Sequence, residues 1–314
     1  MVINQPLSDK ETSMTRTIYY HADDYGVCAA QCEQMLALSA DGCLNSISLF
    51  PNSPYTAQAY ARIKADTRIN SAGTASSTPF LRVAAHLNLI EGKSAAPAGT
   101  IPLLTDERGM LRCTFGYLLK ANFALPRKKR AFREQLKTEI AAQLAVISDL
   151  TGSKHLCIDS HQHFHMIPLV FHALSDVVSE HGYRIDSLRI PVDPIRPVLT
   201  TPRLFLKIPP VNFIKYALLR TLSWFILPEA KRICPDIPVF FGIFYTCRME
   251  YDTVAPLLKK YERIAEKQHR NLELMFHPGG VYDTEELLDP ANTELASFYS
   301  DPCRKKEADA LTRL

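Results

Sequence analysis

The sequence predicts an α/β protein on a parallel sheet of about seven strands, a TIM-like barrel's worth, with one apolar insertion. Three observations predict it. Short β-rich runs alternate with longer helical patterns, as βα units require. Asp and His residues gather just after those runs, where parallel α/β folds place the loops that carry chemistry. Only one stretch, 196–232, breaks the alternation; it is punctuated by proline and rich in apolar and aromatic residues.

In chain order, the candidate strands are 17–21 (TIYYH), 45–50 (NSISLF), 82–87 (RVAAHL), 155–158 (HLCI), 187–190 (SLRI), 239–245 (VFFGIFY) and 272–276 (LELMF). Each is short and rich in branched or aromatic residues. The clearest helix spans 129–150, with Phe132, Leu136, Ile140, Leu144 and Ile147 on one face and Gly152 to stop it. Two more are expected over 168–181 and 253–269. Small residues and proline make 75–79 and 92–102 loops. Without a repeat or a linker, residues 16–300 read as one domain, with 196–232 as a cap or insertion. Residues 1–15 form a polar tail and 301–314 a charged C-terminal tail, or a last helix.

Composition narrows the function. A chain of 314 residues with 46% hydrophobic and 22% charged residues is globular and can bury a large core. Its formal net charge of +3 is too small to make nucleic acid the default partner through phosphate neutralisation. Eight scattered cysteines without a CxxC pattern read as reduced thiols of a cytoplasmic protein. Cys28 and Cys32, one helical turn apart, read as core packing. The first fifteen residues show no cleaved export signal, and the 205–227 stretch is too interrupted by charge and proline to span a membrane.

The strand ends hold the chemistry. After the first strand come Asp23 and Asp24, after the third His86 and Asn88, and after the fourth Asp159, His161, His163 and His165. Arg189 follows the fifth and His277-Pro278-Gly279 the seventh. Adjacent carboxylates repel unless a cation relieves them, so Asp23-Asp24 invites a metal; a solvated pair capping the next helix is the alternative. In an extended segment alternate side chains point the same way, which lets His161 converge with His163 or His165. One carboxylate and two imidazoles suit a divalent transition metal and leave positions open for water and substrate. His86, Arg189 and His277 each also have a plain structural reading, while His155, His172, His181 and His269 fall off this face and carry no role.

These motifs, Ala22-Asp23-Asp24-Tyr25-Gly26, His86-Leu87-Asn88-Leu89, Asp159-Ser160-His161-Gln162-His163-Phe164-His165 and His277-Pro278-Gly279, resemble in order and spacing the YdjC-like carbohydrate deacetylase family across 17–282. The resemblance implies a distorted (β/α) barrel that removes acetyl groups from chitobiose-type sugars. It implies one divalent metal (Zn, Mg, Mn, Co or Ni) on Asp24, His86 and His161, with Asp23 as the catalytic base. By analogy with other metal-dependent sugar deacetylases, His277 serves as general acid or oxyanion stabiliser. Two positions depart from the family pattern, His21 where Asn is frequent and Tyr25 where Phe is frequent; neither removes a ligand or the base.

On this reading Asp159 orients a ligand histidine, and Arg189, His163 and Asn88 are substrate-binding or supporting groups. The aromatic and basic residues of 203–227 suit a membrane surface or a lipid-linked N-acetyl sugar at the inner membrane face; a buried cap helix or a homodimer contact is the alternative. Competing functions are a metal-dependent phosphoesterase or amidohydrolase on a related barrel, and a sugar-binding protein without turnover. Phosphoesterases and amidohydrolases of that kind usually place an HxH pair near the first strand, where this chain has only carboxylates, and a binding protein would be expected to lose the base.

Overall fold

A computed structural model describes residues 16–66, 81–280, 283 and 286–314. The polar stretch 1–15 and the expected loop at 75–79 lie outside the described residues. Seven strands form one sheet: β1 (Ile18–Tyr25), β2 (Ser46–Leu49), β3 (Arg82–Leu87), β4 (His155–Ser160), β5 (Arg184–Leu188), β6 (Val239–Phe241) and β7 (Leu272–Phe276). Their order is β5-β4-β3-β2-β1-β7-β6, and every pairing is parallel. The sheet curls until its edges approach, and Leu188 N–H, at the end of β5, donates to the Asp236 carbonyl ahead of β6 at 3.0 Å. The result is a TIM-like α/β barrel whose strand carboxyl ends open on one side.

Parallel strands need long crossovers, and helices supply them. Pro126–Thr151 begins with proline in its first turn, where a missing N–H costs nothing, and ends on Gly152 at φ +66°. It buries the face carrying Phe132, Leu136, Ile140, Leu144 and Ile147. Pro168–His181 packs beside it and stops in the same way at Gly182, φ +66°. Because Leu144 is fully buried, Leu144→Ala is expected to lower stability by about 2–5 kcal/mol through lost transfer energy and a residual cavity. Urea unfolding checks this; a loss under about 1 kcal/mol would mean that the site collapses around the deletion.

Several boundaries differ from the sequence reading, each for a local cause. β1 runs on to Tyr25, so the two aspartates lie within the strand. Its register on β2 shifts between Ala22 and Tyr25, with Asp24 at φ +69°. β6 stops at Phe241 although the apolar run continues, because the Asp193 carboxylate takes the N–H groups of Gly242 and Ile243, both at 2.8 Å. Of the two forms expected for the charged C-terminal residues, a tail or a last helix, the structure has the helix. Cys303–Leu311 is a helix in which Arg304 and Glu307 are fully buried, since each finds a polar partner at the strand ends. A small apolar cluster of Val27, Cys28, Phe50, Leu287, Leu288, Leu295, Ala296 and Tyr299 anchors the C-terminal segment over those ends. Cys32 lies in the main core and Cys28 in this cluster.

The 196–232 stretch spans the crossover between β5 and β6. It contains helices Arg196–Leu199 and Pro202–Phe205 and most of the long helix Pro210–Ile233. That helix buries Leu219, Leu222 and Ile226 inward and leaves Trp224 and Phe225 outward. No helix among the described residues is long and apolar enough to cross a membrane.

Candidate active site

In a regular strand Asp23 and Asp24 would point to opposite faces. The bulge at Asp24 removes that alternation and brings both carboxylates to the same end of the barrel. They then join different partners.

Asp24 faces two imidazoles. Its Oδ1 lies 3.5 Å from His86 Nε2 and 3.1 Å from His161 Nδ1, while its Oδ2 accepts from Arg304 at 3.1 Å. Burial alone would raise the Asp24 carboxyl, but the neighbouring His161 and His86 imidazoles, with the Arg304 guanidinium, hold it well below the usual carboxylate range. His86 donates from Nδ1 to Asp159 at 2.7 Å, which fixes the ring with Nε2 toward Asp24. The His86 and His161 Nε2 atoms are buried without hydrogen bonds. The orphaned His86 nitrogen faces Asp24 and that of His161 faces Glu91, and two buried imidazoles with an ionised carboxylate are a donor set that fits a divalent cation. Asp24, His86 and His161 each offer a ligand atom within 4.8 Å of the others.

His21, Asp23 and Asp159 form a second such grouping, but its atoms are already committed. His21 bonds Ser46 and Ser48, each at 2.6 Å. Arg189 donates to both oxygens of Asp23 at 2.8 Å, approaches Asp159 at 3.0 Å and bonds Glu273 at 2.5 Å. The first grouping keeps two imidazole nitrogens without hydrogen bonds and the second keeps none, so the first is the better cation site. Burial would push Asp23 up; Arg189, and then a hydrogen bond from His21, outweigh it and hold the carboxyl far below its ordinary value.

His277 completes the polar wall. Its Nε2 lies 3.8 Å from Asp23, and its backbone N–H donates to Glu307 at 2.5 Å. Burial pulls the imidazole down to about 4, so it is neutral near pH 7. Glu307, buried among backbone donors, is pushed up to about 7 by desolvation.

The HxHxH run does not stay extended as the sequence suggested. Residues His161–Met166 form tight 3-10 turns with a kink, Gln162 and His163 having φ of +50° and +61°. The three histidines consequently diverge. His161 reaches Asp24, and His163 turns into the cleft. His165 turns back, accepting from Ser160 at 2.6 Å and donating to the Arg189 carbonyl at 2.7 Å. Burial lowers His165 to about 4, in keeping with a neutral structural ring.

Asn88 is not among the residues lining the cleft. Its side chain ties the loop after β3 together, donating to Asn52 and to the Glu91 carbonyl. Arg189 is buried among carboxylates, so its guanidinium supports Asp23 from beneath. Sequence reasoning passed over Glu91, Glu273, Arg304 and Glu307, and met Lys215 only as one of the basic residues of 203–227. Glu91 stands 3.4 Å from His161 Nε2 and accepts from Tyr299; burial raises it to about 7. The only advance signal for Glu273 was a lone charge within an apolar strand; Glu91, Arg304 and Glu307 offered none.

Above these groups opens a cleft of about 440 Å³. Asp23, His161, His163 and His277 line its floor, and Lys215 and Thr246 stand on its sides. The remainder is largely hydrocarbon.

A family model described as YdjC-like protein matches residues 17–313. A carbohydrate deacetylase of Mus musculus is 27% identical over 172 residues, covering 53% of this chain and 48% of its own. A chitooligosaccharide deacetylase of Escherichia fergusonii is 29% identical over 175 residues, 55% of this chain and 60% of its own. The chain thus spans about half the length of the curated relatives it matches. A crystal structure of an Enterococcus faecalis V583 protein, provisionally described as a cellobiose-phosphate cleavage protein, superposes with a TM-score of 0.63 at 19% identity, covering 95% of this chain and 90% of that one. At that identity the likeness concerns the fold.

Proposed function

The chain belongs to the YdjC-like family, and from that premise we propose that it is a metal-dependent hydrolase that removes the acetyl group from an N-acetylated amino sugar. One observation carries the reading. A carboxylate held by arginine, Asp23, stands beside a separate donor set of Asp24, His86 and His161 at the floor of one cleft. The names of the matched relatives support the sugar and the acyl group.

Asp24, His86 and His161 would hold one divalent cation, and two imidazoles disfavour Mg among the candidates. Bound there, it would supply Lewis acidity to a water molecule and to the acetamide carbonyl. Asp23 is always ionised at neutral pH and is placed to accept the water's proton. Because its carboxyl is held so low, Asp23 gives that proton up readily to any stronger base. The departing amine is far more basic, and His277, 3.8 Å from Asp23, is positioned to pass the proton to it. Asp159 holds His86 in one tautomer, and Arg189 fixes the orientation of Asp23. His163, neutral because burial drives it well below its usual range, is a substrate contact in the cleft. Eight free cysteines accord with a reducing compartment, and the proposal places the protein in the cytoplasm.

The test is acetate release from chitobiose and N-acetylglucosaminides after chelation and metal add-back. Activity lost on chelation and restored by one of Zn, Co, Mn or Ni is the expected result. Hydrolysis of phosphate esters with untouched acetamides would overturn it, as would stoichiometric metal binding without turnover of any acetamido sugar.

A further inference from the structure

The cleft is polar on its floor and mostly hydrocarbon on its walls, where Gln162, Lys215, Thr246 and Glu294 are the polar exceptions. Phe115, Val211, Ile214, Leu218, Leu295 and Phe298 make up most of those walls, in the same cleft as Asp23 and His277. A free oligosaccharide carries hydroxyls around every ring, and covering them with such side chains strips water without returning hydrogen bonds. The walls therefore match the chemistry of one acetamido sugar at the floor far better than that of further sugar units beyond it.

The apolar surface also leads somewhere. Val211, Ile214, Leu218 and Phe225 follow one another at i, i+3, i+7 and i+14 on Pro210–Ile233, a spacing that aligns them along one stripe of the helix. Three of them are open to solvent, Val211 at 65%, Ile214 at 70% and Phe225 at 63% exposure. Val211, Ile214 and Leu218 belong to the cleft, and Phe225 continues the stripe beyond it. Beside this end Trp224 is also exposed, with the Arg220 guanidinium 5.9 Å from its ring centre. An apolar path thus runs from the proposed reacting groups to the surface, and a soluble domain rarely leaves such a path without a ligand.

Resting on the deacetylase reading above, we propose that the substrate is an amino sugar glycosidically joined to a hydrocarbon chain. The acetamide sits over Asp23 and His277, and the chain lies along the stripe Val211, Ile214, Leu218, Phe225. Lys215, on the same wall, meets the oxygens at the junction of sugar and chain. The reaction is ordinary amide hydrolysis: water adds, the C–N bond breaks, and acetate and the free amine leave with the chain still attached.

The test uses methyl, hexyl and octyl N-acetylglucosaminides below their micelle concentrations. Calorimetry gives their Kd for the full chain, and acetate release gives their kcat/KM. Affinity is expected to rise by about two- to fourfold per methylene, as transfer of CH₂ from water requires. Ile214→Glu is expected to flatten that dependence. Phe123→Ser, at a residue 79% exposed and outside the cleft lining, is expected to keep it. A wild-type Kd independent of chain length overturns the proposal, and so do equal slopes in wild type and Ile214→Glu. Acetate released from chitobiose with no length dependence removes the hydrocarbon site but spares the deacetylase. Steep chain-length binding without acetate release does the reverse. Binding to phosphatidylcholine vesicles as tight as to the octyl glycoside, with no need for the sugar, would assign the stripe to a bilayer and also overturn the proposal.

Discussion

Asp23→Asn is expected to lower kcat for acetate release by about 10²- to 10⁴-fold while leaving the bound metal stoichiometry unchanged. The amide has nearly the shape of the carboxylate but cannot take a proton from water. It also leaves Asp24, His86 and His161 in place, since none of those three relies on a hydrogen bond from Asp23. Metal analysis of the purified variant, together with its kcat, separates the two roles. Turnover within tenfold of wild type would take the base away from Asp23, and loss of metal along with activity would make Asp23 part of the cation site.

Arg189→Met is expected to remove about 3–5 kcal/mol of stability at neutral pH along with activity, the usual consequence of leaving buried charge without its partner. The guanidinium is buried among Asp23, Asp159 and Glu273, and among the described residues no second arginine reaches all three. Arg189→Lys is expected to rescue only part of the loss, because an ammonium lacks the fork that holds both Asp23 oxygens. The sign of the pH dependence follows from Glu273. Burial would raise it, but Arg189 and Arg82 pull it from 4.5 to about 2. A depressed carboxyl contributes stability that is present above its unfolded value and lost as pH falls through the folded one. The wild type should therefore lose this contribution between about pH 4.5 and 2, and the gap between wild type and Arg189→Met should narrow over the same range, the part owed to Asp23 and Asp159, held lower still, being lost below it. Urea unfolding at pH 7 and near pH 3 measures it. A gap that stays constant would show that Arg189 acts through packing and not through charge.

Much of the candidate site was legible because it rests on residue types at fixed places. Asp24, His86 and His161 stand at the ends of β1, β3 and β4, and a parallel sheet brings the ends of neighbouring strands together. Arg189 shows the limit of such reading. An arginine after a strand could have met substrate or a carboxylate, and only the curled sheet places Asp23 on one side of it and Glu273 on the other. Asp23 and Asp24 mark another limit, since their convergence depends on one left-handed residue that neither composition nor periodicity announces.

By itself the sequence determined the α/β class, two of the seven strands to the residue, the helix beginning at Pro168, and the identity of the donor groups at the strand ends. Those depend on periodicity, turn residues and side-chain chemistry, which are local. Tertiary structure alone decided that the histidine run kinks, that β6 stops at the Asp193 carboxylate, and that Arg304, 280 residues from Asp24 in the chain, closes on that aspartate inside a helix that reads as a solvated tail. A buried ion pair is stable only where the fold has already removed water and brought its partner near. No local pattern carries that information, because it exists only once the sheet has curled and its helices have packed.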